Sequence, residues 1–236
     1  MNNTRVAIVT GASRGLGAAA ACWLGKAGAA VALIARSEEK LNETSDDVRR
    51  LGGEPLVCRA DVSQYDACRQ AVDKTLARFG RIDAVVNNAG IVQPIAAIVR
   101  TDPADWRYNI EVNLIGPFNL IRAAAAALSR QNGRLVNVSS GAANLALESM
   151  SAYCTAKAAL NHFTRVLAVE EPELTTVAVR PGVVDTDMQT FIREEGPRTM
   201  PSDQADYYRQ LKDRGELESA AIPGRSIAWL AFYAPR

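Results

Sequence analysis

Tyr153 and Lys157 stand four residues apart in Tyr-Cys-Thr-Ala-Lys, and Ser140 precedes the tyrosine by thirteen. On a helix, residues four apart share one face. A free phenol, with a pKa near ~10, exchanges protons poorly at neutral pH, and a nearby ammonium favours the phenolate and lowers that value. A drop of about two to three units corresponds to roughly 3–4 kcal/mol, within reach of a close, partly desolvated pair. Ser140 can donate a hydrogen bond to a substrate oxygen as charge develops there. The three side chains are equipped to move a proton to or from an oxygen. A Tyr-x-x-x-Lys pair also arises by chance on many helices, so its weight depends on what surrounds it.

The surroundings are a set of turn-like segments, each just past a short apolar run. The first is Thr10-Gly11-Ala12-Ser13-Arg14-Gly15-Leu16-Gly17, between a predicted strand and a predicted helix. Its glycines allow a tight turn and a close approach to a pyrophosphate, whose charge would face the helix N-terminus. Backbone and side chains of Gly11, Ser13, Arg14, Gly15, Leu16 and Gly17 are therefore candidates for dinucleotide binding. An NAD site normally presents an acid after the second strand, but this chain has Ala35-Arg36 there. Two guanidiniums, Arg14 and Arg36, suit a 2′-phosphate, because arginine offers phosphate a planar fork. The expected cofactor is NADP(H). Asp61-Val62 follows the third predicted strand, where the carboxylate could accept from an adenine amino group. Asn88-Ala89-Gly90 follows the fourth, where small residues would let the chain pass beside the cofactor.

Asn113 lies in an apolar stretch, Val112-Asn113-Leu114, of a long helical pattern. Two readings fit: a core Asn satisfied by backbone, or one that bends the helix to hold water. His162 and Trp106 read as packing or interface residues.

The elements that must hold these groups alternate along the chain. Predicted strands cover 5–10, 30–35, 54–60, 82–87, 134–139 and 175–180, with helical patterns at 16–27, 38–51, 65–79, 103–130 and 151–170. The strands are apolar on both faces, as in a parallel sheet buried under helices. The fold expected is a doubly wound α/β sheet of Rossmann type, forming one domain over 1–236. A polar excursion at 188–218, broken by Gly196-Pro197 and Met200-Pro201, is expected to act as a substrate lid. A seventh strand is not evident in the pattern.

Bulk composition narrows the function. Lys plus Arg number 27 against 26 Asp plus Glu, a net charge of +1, which argues against nucleic acid and anionic membranes as partners. The first apolar run is too short for a secretory signal, and no later stretch reads as a membrane span. Four cysteines without Cys-x-x-Cys spacing and a single His argue against a metal site, and they suggest a reducing, cytoplasmic setting. Apolar surface on the predicted helices, at 123–128, 158–160 and Phe163, points to a homodimer or homotetramer.

Taken together, Thr-Gly-x-x-x-Gly-x-Gly, Asn-Asn-Ala-Gly, Asn113, Ser140, Tyr153/Lys157, Pro181-Gly182 and Thr186 resemble the short-chain dehydrogenase/reductase family over residues 5 to 188. The resemblance implies that Tyr153 is the acid/base and that Lys157 binds the nicotinamide ribose and tunes it. It further implies that Ser140 positions a carbonyl oxygen, that Asn113 supports a proton-relay water, and that Pro181, Val184 and Thr186 line the nicotinamide pocket. Leu167–Pro172 and Pro181–Gln189 carry a narrower likeness to sepiapterin reductase and benzil-reductase-type members. The expected activity is NADPH-dependent reduction of a small ketone or diketone. The alternatives are NAD-dependent alcohol oxidation and a dinucleotide sensor without chemistry.

Overall fold

Short apolar runs set the sheet in the computed structural model, which describes residues 4–235. Met1–Asn3 and Arg236, the outermost ends of the expected 1–236 domain, lie outside the described residues. The strands are β1 (Val6–Thr10), β2 (Ala30–Ala35), β3 (Glu54–Arg59), β4 (Ala84–Asn87), β5 (Arg134–Val138) and β6 (Thr175–Val179). They pair in the order β3-β2-β1-β4-β5-β6, all parallel, with Ala7 opposite both Val31 and Ala84. Among the described residues the sheet has six strands, and the seventh that was not evident in the sequence pattern is not there.

Strand side chains alternate between two buried layers, as period-two geometry requires. Ile8, Ile34, Val85 and Leu135 face α3 (Tyr65–Phe79), α5 (Gly116–Ser129) and α6 (Ser151–Glu170). Ala7, Val9, Leu33 and Val136 face α1 (Gly15–Lys26), α2 (Glu38–Arg50) and α9 (Ala221–Tyr233). Each fully buried Val, Leu or Ile contributes about 1.5–3 kcal/mol of transfer free energy.

The pattern at 103–130 predicts one helix; the structure has three pieces. These are α4 (Pro103–Ile110), a π-helical turn at Glu111–Ile115, and α5. Pro117 has no N–H to give the Asn113 carbonyl four residues back, and its ring would crowd that carbonyl, so the ladder widens there. By length and composition alone Pro103–Ser129 could cross a bilayer, contrary to the sequence reading. In the fold 56% of its most apolar window is buried, much of it against the sheet.

After β6 come α7 (Asp187–Glu195) and α8 (Ser202–Asp213), which build the expected excursion. Its base is closed by Asp185 N donating to Glu218 O at 2.9 Å and Glu218 N donating to Val183 O at 3.0 Å. A third apolar cluster, including Val92, Met150, Tyr153, Ile192, Met200 and Tyr208, forms beneath these helices.

Candidate active site

The chain leaves β1 toward one edge of the sheet and returns at β4 to build toward the other. Loops at the carboxyl ends of β1 and β4 therefore diverge, and a crevice opens between them. It is a cleft of about 1360 Å³. Every residue singled out above for chemistry or cofactor lines it except Gly17 and Asn113, which stand directly behind its wall.

The β1–α1 loop is braced from β4. Thr10 Oγ1 accepts from the backbone N–H groups of Asn88 and Ala89 at 2.9 and 3.0 Å, and Asn88 Nδ2 donates to Thr10 O at 3.0 Å. A Cβ on Gly17 would lie 2.3 Å from Gly11 O and 2.4 Å from Asn88 Nδ2, so only glycine lets α1 start this close. Gly11 itself has φ +63°. Arg14 precedes α1 without capping its N–H groups, and the first turn carries no acid. That exposed amide end, met by a glycine cradle, fits the pyrophosphate of a dinucleotide.

Past the ends of β1 and β2, Arg14, Arg36, Ser37 and Lys40 line the cleft. Arg14 Nη1 contacts Asp187 Oδ2 on α7 at 2.8 Å, and Arg36 Nη1 donates to Tyr108 Oη at 2.8 Å. Both guanidiniums thus have neutralising or polar partners across the cleft, with faces left to solvent. Asp61 Oδ1 accepts from Ser63 N and Ser63 Oγ at 2.9 and 2.8 Å, a turn that fixes the carboxylate beside Val62.

The candidate catalytic residues depart from the sequence expectation in one respect. Lys157 is 4% exposed, and its Nζ donates to the Val138 carbonyl at 2.8 Å and sits 5.7 Å from the Tyr153 ring centre. Burial lowers the ammonium pKa to about 8. Tyr153 is pushed above its ordinary value, not below it: burial dominates, the facing Ser140 hydroxyl pulls the other way, and Cys154 adds a small rise. The correction is physical. Helical spacing puts Lys157 on the right face, but its charge is anchored at the end of β5 and does not outweigh desolvation of the phenol.

Asn113 is fully buried. Its Oδ1 accepts from Ile91 N at 3.2 Å, and its Nδ2 donates to Ile91 O at 2.8 Å and Asn109 Oδ1 at 2.9 Å. A Cβ on Gly90 would meet Asn113 Oδ1 at 2.8 Å and Lys157 Nζ at 3.6 Å. Asn113 therefore pins the chain that passes between it and Lys157. Asn113 is thus held by backbone groups and by the Asn109 side chain, within the widened turn at Glu111–Ile115.

Pro181, Val184 and Thr186 line the far wall, and Thr186 lies against the Gly15 backbone. The cleft around Tyr153 is apolar, with Val92, Leu147, Met150, Met188, Phe191 and Tyr208 beside it. Sequence reasoning missed Lys40, Tyr108, Asp187 and Tyr208. Lys40 had a signal, a cation one helical turn after Arg36; the others carry none, because their partners are distant in the chain.

The model of a family described as short chain dehydrogenase matches residues 5–196. An uncharacterised oxidoreductase of Saccharomyces cerevisiae is 34% identical over 232 residues, covering 97% of this chain and 90% of that protein. A crystal structure of the enzyme KRED1-Pglu superposes with a TM-score of 0.93 at 38% identity, covering 98% and 95% of the two chains. A metagenomic short-chain oxidoreductase in complex with NADP gives 0.72 at 38% identity, covering 76% and 83%.

Proposed function

This chain belongs to the short-chain dehydrogenase family of oxidoreductases, and from that premise we propose that it is an NADPH-dependent carbonyl reductase acting on an apolar ketone or diketone. The reading is carried by the geometry that sets Ser140, Tyr153 and Lys157 on one cleft beside an apolar pocket, with burial raising the pKa of the Tyr153 phenol. A reductase needs a proton donor at that atom, whereas alcohol oxidation needs the phenolate.

The cofactor preference rests on Arg14, Arg36 and Lys40 along one wall, with no carboxylate at the end of β2. The pyrophosphate fits the α1 N-terminus and the Gly17 cradle, and a reduced nicotinamide bound beyond it supplies the hydride. Ser140 Oγ donates to the substrate oxygen and Tyr153 Oη delivers its proton there. The phenolate left behind is stabilised by the Ser140 hydroxyl and by the buried Lys157 ammonium. Lys157, with two N–H groups not used by Val138, is placed to hold ribose hydroxyls. Apolar side chains around Tyr153 exclude water and accept a hydrocarbon or aryl substituent. The narrower likeness to sepiapterin and benzil reductases favours an aryl diketone within that class. The four unpaired thiols favour a cytoplasmic setting.

The test is NADPH consumption with a panel of ketones, diketones and alcohols, beside titration of both reduced cofactors. Equal affinity for NADH and NADPH removes the cofactor assignment. Turnover of alcohols alone removes the direction.

A further inference from the structure

Tyr208, on α8, is a phenol that the reaction described above does not use. It is 8% exposed, lines the cleft, and packs with Val92, Met150, Tyr153 and Ile192. Its hydroxyl has one partner among the described residues, the thioether of Met150 at 3.8 Å. A thioether is a weak acceptor, and a buried tyrosine hydroxyl ordinarily reaches a stronger one. Burial also drives its pKa up to about 12, with further rises from Tyr207, Cys154 and Tyr153, so at neutral pH the group is a proton-bearing donor. Tyr207 meets the Tyr208 ring edge-on at 5.4 Å between centres.

Apart from Tyr153 itself, the apolar cluster beneath α7 and α8 holds this one hydroxyl, close to where the reacting oxygen must sit. We propose that Tyr208 is a specificity-determining residue whose phenol donates to a second oxygen of the substrate, so that the cleft selects ketones carrying an oxygen beside the reacting carbonyl over simple ketones. The inference rests on the reductase reading for the position of the reacting carbonyl. It adds a polar subsite on the lid that the family motifs do not contain. A site built around a donor rejects the analogue without the matching acceptor, because the donor is then left unpaired.

The experiment separates binding from turnover. Protein loaded with NADP⁺ cannot reduce a ketone, so dissociation constants for 1-phenyl-1,2-propanedione and for propiophenone are measured by calorimetry. The wild type binds the dione about tenfold more tightly, the scale of one hydrogen bond. In Tyr208→Phe the preference disappears, while propiophenone binding stays within about twofold, since Phe keeps the ring in its cluster. Met150→Leu removes the thioether and leaves the preference intact or larger. Retention of the preference in Tyr208→Phe, its loss in Met150→Leu, or no preference in the wild type overturns the proposal. A wild type that shows the Tyr208-dependent preference yet consumes no NADPH with either ketone upholds this subsite and defeats the reductase reading.

Discussion

Lys157 Nζ donates to the carbonyl oxygen of Val138 at 2.8 Å, which ties helix α6 to the end of β5 by a buried cation. A second link runs parallel to it: Asn87 Nδ2 donates to Asn137 Oδ1 and Asn137 Nδ2 donates to Thr164 Oγ1, both at 2.9 Å. These polar bridges cross an otherwise apolar layer, so α6 has one register against the sheet. The phenol and the ammonium of the site inherit that register.

The cost of burying Lys157 should be visible as a pH dependence of stability. Its pKa is about 8 in the folded protein against 10.5 in an unperturbed chain. Between those values the unfolded state binds the proton more strongly, so this group destabilises the fold below pH 8 and the penalty is relieved as pH rises. The unfolding free energy of the cofactor-free wild type should gain on that of Lys157→Met by about 3 kcal/mol in total from neutral pH to above 10. Denaturant melts of both proteins across that range check the slope, and parallel curves would refute the buried ammonium.

Cofactor choice should respond to the wall formed by Arg14, Arg36 and Lys40. Arg36→Asp exchanges phosphate contacts for repulsion and should weaken NADPH binding by roughly 2–4 kcal/mol while leaving NADH binding little changed. Lys40→Ala should lose about 1 kcal/mol, because one exposed ammonium is screened by solvent. Fluorescence titration with both cofactors measures each shift. A matching loss for NADH would mean that the wall does not read the 2′-phosphate.

Association should use the outer face of α5 and α6. Ala124, Ala127, Leu128 and Leu160, expected from the sequence to be surface, are buried in the protomer's own core. Large apolar side chains exposed there are Phe118 on α5, Val166 and Val169 on α6, and Ile115 at the end of the π-turn before α5, with Phe118 against Phe163 edge-on at 6.5 Å between ring centres. Such an apolar strip on two neighbouring helices suits a two-fold contact. Light scattering should report a dimer or larger for the wild type at micromolar concentration and a smaller species for Phe118→Asp. A wild-type monomer rejects it.

Much of this architecture could be read from the chain because its signals are local. Glycine and apolar runs mark β1, the turn at Gly11–Gly17 and α1, and burial on both faces is written directly into the unbroken apolar run Val6–Val9. Ser37 as the cap of α2 and Pro103 opening α4 are equally local. The π-turn at Glu111–Ile115 was not legible as such, because it depends on Pro117 acting on a carbonyl one turn back while Asn113 is held by Ile91. Nor was the Tyr153 shift. Spacing tells which face Lys157 occupies, whereas the balance of desolvation against charge depends on what covers that face. Arg14 with Asp187 and Tyr208 with Met150 join residues far apart in the chain, which a single sequence does not pair.

Tyr153→Phe should abolish carbonyl reduction while NADPH binding survives. The phenol lines the cleft with a proton to give, whereas Lys157 directs one N–H to the Val138 carbonyl and Ser140, an aliphatic alcohol far less acidic than a phenol, holds the substrate oxygen by hydrogen bonding alone. Phe keeps the ring in the cluster of Val92, Met150 and Ile192, so the fold and the groove persist. Loss of a positioned acid typically costs about 10²–10⁴-fold in rate. Lys157→Ala should weaken NADPH binding as well as the rate, because its Nζ sits beside Gly90 on the cleft wall with two N–H groups not used by Val138. Ser140→Ala should slow turnover less than Tyr153→Phe by removing one donor to the substrate oxygen. The raised phenol pKa adds a direction-specific signature. Reduction needs the protonated form and should show no loss from this group across neutral pH, whereas oxidation of the alcohol product with NADP⁺ needs the phenolate and should climb steadily as pH rises. Steady-state rates in both directions for the wild type and the three variants, beside NADPH titrations, decide the matter. If Tyr153→Phe keeps more than a small fraction of wild-type reduction, or if oxidation is already at its plateau at neutral pH, the proton at the reacting oxygen comes from somewhere other than Tyr153.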